Sequence, residues 1–171
     1  MSTADTFRTD PPLAADEREL LQGLLDFHRG TLLWKVSGLS GEQLVQRSVE
    51  PSSMSLIGLV RHLAEVERYW YQLCLAQRPV KLEFWTDEHP DGDFDLVDPA
   101  RAEQDLADYQ AIVKVSDEII AGYDLDHTFT RPRREGLHSV RYLYLHMIEE
   151  YARHNGHADL LRERIDGLTG E

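Results

Sequence analysis

A chain of 171 residues, 42% of them hydrophobic, carries enough apolar surface for one domain with a real core and no more. Its 31 acidic residues against 18 basic ones leave a net charge of −13, which repels phosphate backbones and anionic bilayers, so neither nucleic acid nor membrane is expected among its partners. No apolar run nears the roughly 20 residues of a membrane span, the start has no signal-peptide core, and a single cysteine, Cys74, excludes an internal disulfide, so a cytoplasmic location is expected.

Residues 1–12 are polar, end in Pro11-Pro12 and have no apolar period, so they read as a flexible leader to one domain over 13–171. From Asp16, a natural N-cap, Leu21, Leu24, Leu25 and Leu32 recur at helical spacing to about Gly38, with His28 on the same inner stripe. His28 is either a hydrogen-bonded core histidine or the wall of a site. Ser40-Gly41-Glu42-Gln43 has the capping-box pattern and predicts a short turn to about Gln46. Ser55 can cap a second helix running to about Arg78, where Pro79 stops it. Its stripe holds Leu59, Val66, Trp70 and Leu73, with His62 among them and Cys74 turned away as a packed, inert thiol.

Residues 80–98 are acidic, contain Pro90 and Gly92 and lack a period, which predicts a long crossing loop. Phe84 and Trp85 either lie over a pocket mouth or pack on a bundle end, and His89 with its neighbouring aspartates reads as solvated. Asp98-Pro99 opens a third helix to about Gly122, with Leu106, Tyr109, Val113 and Ile120 inward and its charges outward. The next loop carries Arg-Pro-Arg-Arg at 131–134, a basic run able to receive an anion or simply solvated. The fourth helix follows from Ser139 to Asp166. Four amphipathic helices with a long crossover between the second and third predict an all-α, single-domain four-helix bundle with no strand.

The fourth helix carries the strongest chemical signal. Leu143, Met147, Ala158, Leu161 and Ile165 form one stripe, and Glu150 and His154 fall in the middle of it. Ionisable groups on an inner face need a partner, since an unpaired buried charge costs several kcal/mol, about what would unfold a marginal domain. Their i,i+4 spacing stacks both side chains on one face, where a divalent metal would explain convergence and burial together. His62 supplies a third group from the facing helix, and His, His and Glu is a set that zinc accepts with a fourth position left for water or a substrate. Nickel, iron and manganese also accept it. His146 and His157 flank the pair as further candidates.

The stretches S-L-I-G-L-V-R-H-L-A-E-V-E-R-Y-W and H-M-I-E-E-Y-A-R-H-N-G-H-A-D-L-L-R-E-R-I-D-G, with H-R-G-T-L-L-W-K-V-S-G-L-S-G-E-Q-L before them, resemble the DinB/YfiT-like metalloenzyme superfamily, in its actinobacterial mini-circle branch. They are similar too to the N-terminal domain of mycothiol-dependent maleylpyruvate isomerases. The resemblance implies an up-down-down-up bundle with a metal held by His62, Glu150 and His154, Glu150 standing where most of the superfamily has a histidine. It also implies a low-molecular-weight thiol such as mycothiol as cosubstrate for transfer to a small electrophile. His28 or His157 is then the candidate proton carrier. A non-catalytic, stress-related metal- or ligand-binding bundle is the alternative, and a homodimer is compatible with either.

Overall fold

The computed structural model describes residues 7–132 and 135–169, so Arg133, Arg134 and the first half of the leader lie outside the described residues. Four long helices make the bundle: α1 (Glu17–Val36), α3 (Leu56–Glu67), α5 (Ala102–Ile120) and α6 (Val140–Asp166). Single turns α2 (Gly41–Leu44) and α4 (Gly92–Asp95) sit in the connections. The caps act where the sequence places them. Asp16 accepts from the Glu19 amide, Ser55 from Gly58, Ser139 from Tyr142, and both hydrogen bonds of the Ser40–Gln43 capping box form. Asp98 caps a 3₁₀ turn over Pro99–Arg101 that leads into α5. Gly167 closes α6 at φ 80°, a left-handed conformation that suits glycine.

Contacts between side chains fix the direction of each helix. Arg18 meets Tyr144 and Lys35 meets Asp159, so α1 and α6 run parallel. Arg61 approaches Asp105 while Glu67 sits near Tyr109 through Tyr151, so α3 and α5 also run parallel. His62 faces His154 and Trp70 faces His146, which sets α3 antiparallel to α6. This is the up-down-down-up order, with the crossover 76–101 returning the chain along the bundle.

Several details depart from the sequence reading. The second helix ends at Leu75, three residues before Arg78, after loosening into a π-helix over Arg68–Leu75. A two-stranded antiparallel ribbon, β1 (Thr128–Thr130) with β2 (Leu137–Ser139), precedes α6 where no strand was expected. Three-residue strands are too short to show a period of two. On α5 the buried line is Asp105, Tyr109, Ile112, Ser116 and Ile119, with Leu106 and Val113 at its edge. Asp105 is therefore not outward: it is buried, 3.8 Å from the Arg61 guanidinium. Leu24 of α1 is exposed. Residues 7–12 lie along α1, close enough that a Cβ at Gly30 would stand 2.1 Å from the Phe7 carbonyl oxygen, and Arg8 lies over Trp34.

A polar cluster crosses the middle of the core. Arg29 Nε and Nη2 donate to the two carboxylate oxygens of Glu67 at 2.9 and 3.0 Å. Tyr151 donates to Glu67 Oε1 at 2.9 Å, and Tyr109 and Tyr151 share a hydrogen bond at 3.0 Å. One residue from each long helix takes part. Fully buried, such a pair contributes register more surely than stability, because desolvation offsets most of its attraction.

Candidate metal centre

Of the residues in α3, His62 is the least buried; every other one is closed off by the neighbouring helices and the crossover. That opening is where the site lies. His62, Glu150 and His154 each offer a ligand atom, and the three atoms lie within 4.8 Å of one another. The two imidazole rings are 4.6 Å apart between centroids, and His154 Nε2 stands 3.6 Å from Glu150 Oε2, beyond a hydrogen bond. Three donors thus aim at one point without satisfying each other, which fits a divalent ion better than a self-sufficient polar contact.

Partners lie on the far side of both rings, and that of His62 sets its tautomer. His62 Nδ1 is 2.8 Å from Asp93 Oδ2, and a carboxylate oxygen accepts, so the proton sits on Nδ1 and Nε2 presents its lone pair. The same oxygen accepts from Trp85 Nε1 at 2.8 Å. Phe94 stacks on the His62 ring at 5.5 Å and Trp85 tilts against it at 5.6 Å. His154 Nδ1 shares a hydrogen bond with His157 Nδ1 at 3.3 Å, again leaving Nε2 on the side of Glu150. Burial pushes the His154 pKa down to about 4, helped by the positive charge of His62 and His157 when protonated, so the ring is neutral and ligand-competent at neutral pH.

The three helix residues expected from the sequence come together, and His157 joins them through His154. His146 does not. It packs on Trp70 at 4.6 Å and stacks with Tyr142, and burial lowers its pKa. The His28 ring packs edge-on against Phe27 at 5.9 Å, and it is the His28 carbonyl that reaches α6, accepting from Asn155 Nδ2 at 3.0 Å. Asp93 is the residue the sequence reading missed. Taken with its neighbours as solvated, it is 2% exposed and aimed at His62. The available signal was Trp85, whose indole N–H must find an acceptor when it packs inward.

Fold and site together define a DinB-like helical bundle with a candidate three-ligand metal centre between the middles of α3 and α6. The model of the mycothiol S-transferase family matches residues 20–167, and the chain belongs to that family. No curated protein and no solved structure matches it. Among the described residues no helix is long and apolar enough to cross a membrane.

Proposed function

We propose that the chain is a metal-dependent S-transferase that joins mycothiol, or a related small thiol, to a small electrophile. The observation that carries this reading is the convergence of His62, Glu150 and His154, with both imidazoles already turned to offer Nε2. A divalent ion held by these three, zinc being the one the donor set suits best, supplies a Lewis acid that lowers the pKa of a thiol and favours its thiolate. Asp93 keeps the His62 proton on Nδ1 and fixes the ring plane. His157 Nδ1 shares a hydrogen bond with His154 Nδ1 and would accept from it once His154 Nε2 is given to the ion; His28 makes no such contact with a ligand. The His28 carbonyl holds Asn155 and with it the turn of α6 that carries His154. Phe94 and Trp85 shield His62 from water. The thiol must come from outside, because Cys74 is fully buried and burial raises its pKa. Such a cosubstrate stays reduced in the cytoplasm, where this reading places the protein.

Protein purified without chelator is expected to carry about one divalent ion per chain by elemental analysis, since three ligands define one site. Metal that survives in the His62→Ala, Glu150→Ala, His154→Ala triple variant would sink the assignment. Holoprotein that turns over no small electrophile with mycothiol would favour a binding protein.

A further inference from the structure

Trp85 borders two spaces. Its ring lies 5.6 Å from His62, and it also lines a cleft of about 520 Å³ with Tyr69, Leu73, Val80, Lys81 and Pro132 among the walls. Leu73 and Pro132 are shared with an adjoining cleft of about 310 Å³ that contains Arg78 and Arg131. The walls mix apolar and aromatic side chains with polar ones, and Arg78, Lys81 and Arg131 are among them.

Three cations gather at these clefts. In a protein of net charge −13, most basic side chains meet a carboxylate, as Arg29, Lys35, Arg47, Arg61, Arg68 and Arg141 do. Arg78, Lys81 and Arg131, like Arg8, Arg18, Lys114 and Arg164, have no carboxylate within 4.0 Å among the described residues, but these three gather on two adjoining clefts. Asp87 lines the cleft but bridges to none of the three. Arg131 is also held in place. Its guanidinium sits 4.3 Å from the Trp70 ring centroid and 5.4 Å from that of Tyr69, and its Nε donates to the Tyr69 hydroxyl at 3.4 Å. A guanidinium fixed by stacking keeps its outer N–H groups for a ligand.

We infer that the two adjoining clefts bind a small anion with an aromatic or apolar body, which on the S-transferase reading above is the electrophile.

The probes are 4-chlorobenzoate and 4-chlorobenzamide, which differ in charge and little in shape, titrated into holoprotein by calorimetry. The carboxylate is expected to bind about tenfold tighter, and Lys81→Gln with Arg131→Gln should bring the ratio near one while leaving the amide unchanged. If that double variant melts lower, Arg78→Gln with Lys81→Gln, both at exposed positions, should also reduce the ratio. The preference should persist in metal-free His154→Ala. Equal binding of the two probes, a preference that survives loss of the cations, or one that vanishes with the metal would overturn the inference. In turnover, thiolate attack on 4-(bromomethyl)benzoate forms a carbon–sulfur bond and releases bromide. Its kcat/KM should exceed that of the matching amide by a similar factor, and the excess should go with the cations. Absence of turnover with both would count against the S-transferase reading alone, because the calorimetric preference needs no reaction.

Discussion

Two glutamates on inner helix faces, Glu67 and Glu150, have opposite surroundings. Glu67 is fully buried and spends both oxygens on Arg29 and Tyr151. Glu150 is partly open, and its nearest cation-capable neighbour, His154 Nε2, stands outside hydrogen-bond range. A polar group that serves the fold is satisfied by the fold; one that serves a ligand is aimed and left short. The comparison breaks first at Arg29. Arg29→Met strands the Glu67 carboxylate, with a cost of about 3–5 kcal/mol, which in a domain of this size lowers the melting temperature by roughly 6–20 °C. Arg29→Met with Glu67→Leu should recover much of that loss, because neither charge is then left behind. Thermal unfolding of the three proteins decides it, and an unchanged melting point in Arg29→Met would remove the distinction.

Glu150→Leu is the matching change at the other glutamate. Metal uptake should be abolished, whereas the metal-free protein should melt at the same temperature or higher, because an apolar side chain replaces a carboxylate without a partner. A drop comparable to that of Arg29→Met would mean that Glu150 holds the bundle together and is not there for an ion.

The same contrast explains what the sequence discloses. Glu150 and His154 stand out because α6 shows a clear stripe, from Leu143 to Leu161, that they interrupt. Glu65, Glu67 and Arg61 do not stand out, since α3 is buried on nearly every side and has no polar face against which a charge would look misplaced. Caps were legible because each depends on one side chain and an amide two or three residues on. Asp93 was hidden for the opposite reason. In a loop no period tells inside from outside, and an aspartate among aspartates reads as solvent-facing until Trp85 and His62 are seen to share its oxygen.

Asp93 is also where the loop can be tested against the helices. Asp93→Asn keeps the shape and an acceptor for Trp85 but removes the charge that steadies the His62 imidazole. Metal affinity should fall about 10- to 100-fold, read by competition with a chelator of known strength, with little change in melting of the metal-free protein. Unchanged affinity would detach the crossover from the site and leave a centre built by α3 and α6 alone.

The smallest effect belongs to Cys74, and its smallness is informative. The thiol is buried in the π-helical end of the second long helix, and burial raises its pKa against the weaker opposing pull of a Tyr69 hydrogen bond and the Arg131 charge. A buried thiol with a raised pKa is a poor nucleophile, so chemistry at this site has to use a thiol delivered from solution. Cys74→Ala should retain its metal and keep mycothiol-dependent turnover within about twofold, while the lost packing lowers stability by about 1 kcal/mol. The two readouts separate the roles, because a packing residue moves the melting temperature and leaves kcat in place. Loss of turnover in a folded, metal-loaded Cys74→Ala protein would put the nucleophile on the chain itself and overturn the metal-centred reading.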